Sequence, residues 1–471
     1  MATVRTSGTA KTSIGADGRG TAIPAAVAAW LGERPVLAGD FVRDRDAFAA
    51  WWARGRALQQ RFGTRPRAGS PDADAFEALR AASCETRHDF GRAHAALIYD
   101  RIAGSTGLVR VEKLVGEAHR LVPGLVPTPA ELAEERARPL SAKLGYEMEQ
   151  GMLLSAVLDH PAAGLKLCHA MLLPHPETAD RLAGYIATGR ADLGTATVER
   201  RDRVAHVTLT NPRFLNAEDD STMDATEIAV DLALLDPATQ ICVLRGGPVD
   251  HPKYAGKRVF SAGINLTTLY RGEVSFMFYV VRDFGFVNKM FRGVARPDRG
   301  ADETSGATVE KLWIAAVEEF AIGGGCQLLL VMDYTLAARD AYATLPARKE
   351  GIIPGAANLR LPRFVGDRLA RQAIMNELRI EFDSDVGRLL CDELVEPGGM
   401  DEAVAHIAGR LTNSGVVSAA GNRRALRAVA EPLDDFRRYY ATYMREQAWC
   451  HFSPALVANL ERFWDASKRR V

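Results

Sequence analysis

The sequence predicts an α/β core flanked by helical segments, and three observations indicate this class. From about residue 25 to residue 189, apolar residues recur at spacings of three and four, which is the period of amphipathic helices. From residue 196 onward, short alternating or fully apolar strands are separated by helical stretches, which is typical of a largely parallel sheet. From about residue 368 to the end, the pattern is helical again.

The N-terminal part divides into two segments. Residues 1–20 are rich in Ser, Thr, Gly and Ala and have almost no large apolar side chains, so we expect them to be disordered. Residues 21–193 predict an all-helical domain, in which Thr128-Pro129 begins one helix and Pro176-Glu177 begins another. No chemistry is predicted for this domain.

Composition excludes several classes of protein. The 59 basic and 59 acidic residues give a formal net charge of zero, which does not indicate a nucleic-acid or anionic-membrane surface. We find no apolar run of membrane-spanning length and no signal-peptide core. The six cysteines are scattered without a CxxC pair, which favours a reducing cytoplasm over disulfides or a zinc site.

No metal site is predicted from the remaining candidate ligands. Glu147, Glu149 and His160 do not share one helix face, so a solvated helix surface is favoured. The sequence His175-Pro176-Glu177 lies at a predicted helix start, where capping is favoured over metal binding. Cys326 follows a glycine turn with no histidine nearby in sequence, so we interpret it as a small buried residue rather than a catalytic thiol.

The stretch from Lys311 to Asp333 predicts a strand, a glycine turn and a helix. An apolar run ends at Ile322, and three glycines precede the helical pattern. The first backbone N–H groups of a helix lack intrahelical partners and carry partial positive charge. Glycine lets a ligand approach them closely. Such a turn can hold an oxyanion or a phosphate, although a turn without chemistry is the alternative, and the pattern is not the GxGxxG of dinucleotide sites.

A second turn of this kind lies upstream. Residues Arg258 to Leu266 form a short predicted strand that runs into a turn of small residues, Ser261-Ala262-Gly263. Two such turns in one α/β domain could direct two N–H donors at a single carbonyl oxygen.

The segments FSAGINL (260–266) and WIAAVEEFAIGGGCQLLLVMD (313–333) resemble the two oxyanion-hole segments of the crotonase (enoyl-CoA hydratase) superfamily. A third match is GIIPG (351–355). The resemblance implies a crotonase-like ββα superhelix core over residues 194–395. It also implies that the helical segment 396–471 builds a homo-oligomer, a trimer or a dimer of trimers, and closes over the CoA site; an intrachain helical core is the alternative.

The resemblance also implies positions for an acyl-CoA substrate. The backbone N–H groups of Ile264 and Gly324 would bind the thioester oxygen and stabilise an enolate. Lys253, Lys257 and Arg258 could meet the CoA phosphates, with a solvated loop as an equal alternative for each. The remaining residues expected to contact substrate or CoA are Arg213, Leu215, Ala217, Tyr254, Ala262, Gly263, Asn265, Leu266 and Gly323.

Two departures from the family pattern exclude hydration. Hydratases of the family add water with two glutamates, and the corresponding positions here are Gln327 and Ala347. Neither side chain can exchange a proton as a carboxylate does. The sequence therefore predicts a different reaction on the same enolate.

Five features together resemble one branch of the family. They are the long helical N-terminal part, LNAED (215–219), HPKYAGKRVFSAGINL (251–266), the arginine in FMFYVVRDFGF (276–286) and GGGCQ (323–327). Enzymes of that branch oxidise and cleave an arylacetyl-CoA with dioxygen in glycopeptide-antibiotic pathways, without a metal or an organic cofactor. The likeness implies that Glu218 and Arg282 contact the polar aryl end and that Gln327 lies beside the reacting carbon.

Alternatives remain open. The site could support a thioesterase or isomerase reaction without dioxygen, or only bind acyl-CoA; a metal-dependent oxygenase is disfavoured. Arg282, in a highly apolar predicted helix spanning Tyr270 to Phe291, either extends to solvent or faces a polar site. Glu218 could simply be a carboxylate in the first turn of a helix. The base that removes the α-proton is not predicted.

Overall fold

A computed structural model describes residues 22–296, 298–300, 306–412 and 415–468. The segment 1–20, which we expect to be disordered, lies outside the described residues. Within the described ranges, no helix combines the length and the apolar character needed to cross a bilayer.

The first part of the described chain is helical, as predicted. Thr128 begins the fifth helix in a capping box, because its hydroxyl accepts a hydrogen bond from Glu131 N and the Glu131 carboxylate accepts one from Thr128 N. The helices are α1 (Ala22–Gly32), α2 (Phe41–Arg61), α3 (Pro71–Ala103), α4 (Val111–Leu121), α5 (Pro129–Arg136), α6 (Met148–Asp159), α7 (Pro161–Leu172) and α8 (Thr178–Thr188).

Strands and helices alternate after α8. The strands are β1 (Arg190–Asp192), β2 (Ala196–Arg201), β3 (Val204–Leu209), β4 (Ile241–Gly246), β5 (Val294–Ala295), β6 (Thr308–Val309), β7 (Leu312–Val317), β8 (Phe320–Ile322), β9 (Tyr334–Ala338), β10 (Tyr342–Thr344), β11 (Ile380–Glu381) and β12 (Glu393–Val395). The helices are α9 (Asp220–Leu235), α10 (Leu266–Tyr270), α11 (Met277–Arg282), α12 (Asn288–Arg292), α13 (Gly324–Leu329), α14 (Ala347–Glu350), α15 (Ala357–Asn376), α16 (Met400–Leu411), α17 (Val416–Ala430), α18 (Leu433–His451) and α19 (Pro454–Trp464).

The main sheet has the strand order β1-β2-β3-β4-β7-β9-β12. Its pairs from β3 to β12 are parallel, and the pairs β1–β2 and β2–β3 are antiparallel. Strand β7 is buried along its whole length because both faces of a parallel sheet are covered, which explains its continuous apolar sequence. The α/β class predicted from the sequence is confirmed.

A smaller sheet positions the glycine turn. Its strand order is β11-β10-β8, with β8 and β10 parallel. Strand β8 ends at Ile322, and Gly323 turns the chain at φ +53° into α13, which begins at Gly324. A bridge between Ser261 and Ala321 brings the upstream turn beside this one.

The predicted single helix from Tyr270 to Phe291 is wrong. The chain forms α10 and α11, continues as a π-helical turn over Asp283–Val287, and then enters α12. Gly285 has non-helical dihedral angles, and a Cβ there would lie 2.9 Å from the Glu227 Oε2. Glycine suits this position because the Glu227 carboxylate of α9 lies against its backbone.

Two further expectations need correction. The region after residue 368 is not wholly helical, because β12 extends the main sheet beside β9. Glu147 and Glu149 do not lie on a solvated face: α6 is buried between α3 and α18, and both carboxylates are ion-paired there. Sequence periodicity does not reveal such pairing: Glu149 pairs with Arg56 of α2, and Glu147 pairs with Lys143 in the loop before α6.

The C-terminal helices build part of the chain's own core. Phe436, Tyr440 and Phe452 are buried, and α18 packs along α6. A Cβ on Gly151 of α6 would lie 2.9 Å from the Cβ of Ala448, so this glycine lets the two helices meet. Of the two roles considered for the aromatic tail, packing within the chain is therefore observed.

Glu431, which directly follows α17, links that helix to α12 and α15. Its carboxylate accepts hydrogen bonds from Arg292, Arg360 and Arg363, at N–O distances between 2.7 and 3.1 Å. Burial alone would raise the pKa of Glu431, but the charges of Arg360 and the other arginines outweigh it and lower the pKa to about 2.

We expect Glu431→Gln to lower the free energy of unfolding at pH 7 by about 3 kcal/mol, because buried cations lose their counterion. A depressed folded-state pKa stabilises the fold above the ordinary value of 4.5, and this contribution is lost as the pH falls toward 2. Urea unfolding should therefore show a smaller difference in free energy of unfolding between wild type and Glu431→Gln at pH 3 than at pH 7. Glu396→Gln, which removes an exposed pair with Arg339, is the control and should change stability by less than about 0.5 kcal/mol. Equal effects of the two substitutions would contradict the prediction.

Candidate active site

The two predicted turns meet and present two unoccupied backbone donors. Ile322 N donates to Ser261 O at 3.0 Å, which holds the turns together. A Cβ on Gly263, which has φ +77°, would lie 2.7 Å from Ile322 O and 2.8 Å from Gly324 N, so only glycine allows this approach. Among the described residues, neither Ile264 N nor Gly324 N has a hydrogen-bond acceptor. This arrangement is suited to binding a carbonyl oxygen.

Both donors lie on one cavity of about 30 Å³, enough for one or two water-sized molecules. The cavity wall is mainly apolar and aromatic on one side and carries the polar groups of α11 and α13 on the other. Its lining residues are Glu218, Ile264, Phe278, Tyr279, Arg282, Asp283, Gly323, Gly324, Gln327, Leu345, Ala347, Glu350, Ile352, Ile353, Pro354, Gly355 and Tyr443. The five residues predicted to be catalytic are therefore brought together.

Arg282 is the centre of the polar side. Its Nε donates to one Glu218 oxygen at 2.5 Å and its Nη2 donates to the other at 3.3 Å. Its Nη1 donates to Asp283 Oδ1 and to Gln327 Oε1, both at 2.9 Å, and Nη2 also donates to Gly324 O at 2.9 Å. All five N–H donors of the guanidinium are therefore used.

This cluster settles the two alternatives for Arg282: the side chain is 3% exposed and faces a polar site rather than solvent. Burial disfavours the charged guanidinium, but the carboxylates of Glu218 and Asp283 outweigh this effect and raise the pKa of Arg282. The arginine therefore stays charged and is paired with both carboxyl groups.

Glu218 is not in a helix. Asp219 is the N-cap of α9, and Glu218 precedes it in an extended bridge to Ile264. Glu218 N donates to Gly263 O at 2.7 Å, and its own carbonyl accepts from Asn265 N at 2.8 Å. The backbone of Glu218 thus holds the upstream turn, while its side chain holds Arg282.

The sequence analysis missed Asp283 and the aromatic residues that support it. Tyr440 of α18 donates its hydroxyl to Asp283 Oδ2 at 2.8 Å, and Tyr443 lies on the cavity wall. The same helix holds the GIIPG loop, because Gln447 Oε1 accepts from Ile353 N at 2.8 Å. Asp283 follows an arginine in a highly apolar stretch, which was a usable signal; the tyrosines lie far away in sequence and gave none.

Glu350 was also missed. This residue immediately precedes the GIIPG loop, is 4% exposed and lines the cavity. Its side chain has no hydrogen bond or ion pair with any residue in the described ranges. Burial, together with the charge of Glu377, raises the pKa of Glu350 to about 7. An acidic residue directly before the GIIPG match was the available signal.

The residues predicted to bind CoA fall into two groups. Leu215, Tyr254 and Ala262 share a small apolar cluster beside the cavity turns, and Ala262 N donates to Leu215 O at 3.1 Å. Arg213 and Lys253 are exposed nearby, with Lys253 Nζ 5.0 Å from the centre of the Tyr254 ring.

Other predicted contacts have structural partners. Lys257 Nζ pairs with Glu319 Oε1 at 2.6 Å, and Arg258 donates to Gly246 O at 3.2 Å. Asn265 caps α10 through its Oδ1, while Ala217 is buried and Leu266 is the first residue of that helix. Binding of CoA by these residues stays a prediction.

Cys326 is not suited to nucleophilic catalysis. Burial raises the pKa of its thiol to about 12, so it stays neutral near pH 7. Within the described residues, no group of three His, Cys, Asp or Glu side chains is placed as a metal site would require.

We expect Gly355→Ala to lower the free energy of unfolding by about 1–3 kcal/mol, because its Cβ would lie 1.9 Å from Asp283 Oδ2. Gly184→Ala in α8 is the matched control: nothing lies within 4 Å of the added Cβ, and alanine should stabilise this helix by up to about 1 kcal/mol. Urea unfolding measures both changes. An unchanged free energy of unfolding in Gly355→Ala would contradict the prediction. It would show that the side chains around Asp283 can move aside without loss of stability.

Comparison with known proteins adds to this geometry. Residues 199–385 match the family described as "Enoyl-CoA hydratase/isomerase". The chain is 46% identical over 400 residues to a (3,5-dihydroxyphenyl)acetyl-CoA 1,2-dioxygenase of Amycolatopsis orientalis, covering 84% of this chain and 89% of that protein. It is 28% identical over 273 residues to a crotonyl-CoA hydratase of Syntrophomonas wolfei, covering 56% of this chain and 96% of the hydratase.

Among solved structures, an enoyl-CoA hydratase from Mycobacterium avium subsp. paratuberculosis aligns over 58% of this chain and 97% of its own, with 19% identity and a TM-score of 0.48. The relative from Amycolatopsis orientalis shares nearly half its residues over most of both chains, and the family match spans the α/β core that carries both oxyanion turns. The predicted resemblance is therefore confirmed, and the chain belongs to the enoyl-CoA hydratase/isomerase (crotonase) family.

Proposed function

We propose that the protein is a dioxygenase that converts (3,5-dihydroxyphenyl)acetyl-CoA and dioxygen to 3,5-dihydroxyphenylglyoxylate and CoA, without a metal or an organic cofactor. The observation that carries the proposal is the cavity, where two free N–H donors face the buried Arg282 cluster. The identity to the dioxygenase of Amycolatopsis orientalis over 84% of the chain supports the choice of substrate.

The first step uses the acidity of a carbon that lies between an aryl ring and a thioester. Removal of its proton gives an enolate, which carries more negative charge on the thioester oxygen than the substrate does. Ile264 N and Gly324 N would donate hydrogen bonds to that oxygen, and each such donor is worth roughly 3–4 kcal/mol in the transition state.

The enolate itself can reduce dioxygen, because it is delocalised and electron-rich. A C–O bond forms at the α-carbon and yields a peroxide, whose outer oxygen attacks the thioester carbonyl. The C–S bond breaks as the thiolate leaves. The second α-hydrogen is then lost as a proton, and its C–H electron pair forms the ketone as the O–O bond breaks. Both atoms of dioxygen enter the arylglyoxylate, and the thiolate leaves as CoA.

The side chains suit this chemistry better than hydration. Gln327 and Ala347, at the two glutamate positions of the hydratases, both line the cavity, so neither position offers a carboxylate. Arg282 and Glu218 would contact the ring hydroxyl groups. Because all five N–H donors of Arg282 are used within the protein, the guanidinium would have to exchange a protein acceptor for a ring hydroxyl group. Gln327 would lie beside the reacting carbon.

The apolar wall suits dioxygen and excludes water from the enolate. The cavity of about 30 Å³ has room for a diatomic molecule but not for an aryl ring, so wall side chains must shift when the acyl group binds. Ile352 and Ile353 are half-buried and belong to a loop, which makes them the residues best placed to move.

Several predictions stay open beyond the reaction. We propose a homo-oligomer, a trimer or a dimer of trimers, and a cytoplasmic location. We also propose a role in antibiotic biosynthesis and binding of the CoA portion along Arg213, Lys253 and Tyr254. The predicted domain limits at residues 193 and 395 likewise stay predictions.

Dioxygen uptake and thiol release by chelator-treated protein test the function. Given (3,5-dihydroxyphenyl)acetyl-CoA, the protein should consume dioxygen and release free CoA in equal amounts, because both follow from one enolate. Thiol release without uptake would instead indicate a thioesterase. Neither signal would indicate an acyl-CoA-binding protein. Crotonyl-CoA serves as the control substrate and should give neither hydration nor uptake.

Arg282→Lys tests the polar cluster. Lysine keeps the charge but offers three donors in place of a planar fork of five, so Glu218, Asp283 and Gln327 cannot all be held. We expect turnover to fall by at least about 100-fold, while the dissociation constant for CoA changes little. Steady-state kinetics and calorimetric titration with CoA measure the two effects. Unchanged turnover would remove Arg282 from the mechanism.

A further inference from the structure

We propose that Glu350 is the base that removes the α-proton of the acyl-CoA, a role that rests on the enolate chemistry of the proposed function. The family's glutamate positions are occupied by Gln327 and Ala347, so the base must come from elsewhere in the cavity. Glu350 lies three residues after Ala347, at the end of α14.

The carboxyl group of Glu350 lies against the glycine turn. An atom at the Cβ position of Gly323 would be 3.8 Å from Glu350 Oε1, and Gly323 directly precedes the N–H donor of Gly324. Glu350 and both oxyanion donors line the same cavity. A thioester whose oxygen is held by these donors would therefore extend into the cavity that Glu350 lines.

The other acids of the cavity are already engaged. Glu218 and Asp283 accept hydrogen bonds from Arg282, and Asp283 also accepts one from Tyr440. A carboxylate held by a cation is a poor proton acceptor. Glu350 has no such partner among the described residues.

The remaining titratable groups around Glu350 do not compete. Burial raises the pKa of Tyr279 and Tyr443, so both phenols stay protonated, and Tyr279 is hydrogen-bonded to His451 Nδ1 at 3.0 Å. Outside the cavity, Glu377 is paired with Arg348 and Lys349 and adds only its charge.

The environment makes Glu350 a stronger base than an ordinary carboxylate. Burial and the charge of Glu377 raise the pKa of Glu350 to about 7, so a large fraction is ionised at neutral pH. Deprotonation of the residue should therefore limit the reaction below this pH. The rate should rise as the pH increases through about 7.

The step conserves atoms and charge without an oxidant. The α C–H bond breaks, an O–H bond forms on Glu350, and the C–H electron pair moves into the enolate, whose oxygen is held by Ile264 N and Gly324 N. The proton on Glu350 is returned when the thiolate of CoA leaves, which restores the carboxylate.

Exchange of the α-hydrogens with D₂O, followed by NMR under anaerobic conditions, tests the proposal. The substrate is phenylacetyl-CoA, and the test does not depend on oxygenation. Wild-type protein should exchange the α-hydrogens, and Glu350→Gln should lower the rate at least about 100-fold. Glu350→Asp, which keeps a carboxylate on a shorter side chain, should recover part of the rate.

Glu377→Gln is the matched control, since it removes a neighbouring carboxylate outside the cavity. Exchange should persist, with the midpoint of its pH profile shifted to lower pH, because the charge that raises the pKa of Glu350 is gone. A merely structural role for Glu350 would not produce this shift. Folding is checked by melting temperature at pH 8, where Glu350→Gln should be no less stable than wild type, because no buried charge remains.

Exchange at the wild-type rate in Glu350→Gln, or no exchange by wild-type protein, would overturn the assignment of the base. Dioxygen uptake by wild-type protein is measured separately with (3,5-dihydroxyphenyl)acetyl-CoA. Dioxygen uptake that does not depend on Glu350 would support the proposed function and contradict the assignment of Glu350 as the base. Exchange of the α-hydrogens that depends on Glu350, without dioxygen uptake, would support that assignment and contradict the dioxygenase function.

Discussion

The burial of one guanidinium constrains the whole catalytic region. A charged arginine without partners costs several kcal/mol to bury, so Arg282 must be surrounded by acceptors before this part of the chain can fold. Those acceptors come from three separate segments: Glu218 before α9, Asp283 in the π-helical turn, and Gln327 with Gly324 O in α13. The same hydrogen bonds that satisfy the charge therefore fix the relative positions of the two oxyanion turns.

The surrounding helices also hold this arginine cluster in place. Helix α18 contributes Tyr440 to Asp283 and Gln447 to Ile353, so it connects the arginine cluster to the loop on the opposite wall. Helix α18 in turn packs on α6 of the N-terminal helical segment. That segment carries no predicted chemistry, yet it supports the helix that closes the cavity.

The carboxyl groups on the two sides of the cavity have opposite electrostatic environments. Glu218 and Asp283 are paired with a cation, whereas Glu350 has no such partner among the described residues, and its pKa is raised to about 7. An unpaired carboxylate with a raised pKa can exchange a proton near neutral pH. In the proposed mechanism, this division of roles would replace the paired glutamates that hydratases of the family use.

The sequence by itself determined the α/β class, the two glycine-containing turns and the five residues that meet at the cavity, because these depend on local periodicity and on short motifs. It also determined that a hydratase was the wrong reaction, because residue types at fixed motif positions decide that. Tertiary structure alone decided that Arg282 is buried, that Glu218 precedes its helix, and that Glu147 and Glu149 are paired. It alone brought Tyr440 and Tyr443 to the site and left Glu350 without a partner among the described residues. These outcomes depend on which side chains of other segments come to lie beside a residue, as with Glu218 and Arg282, which are 64 residues apart, and Asp283 and Tyr440, which are 157 apart. The free energy of burying a charge is set by such neighbours rather than by local sequence.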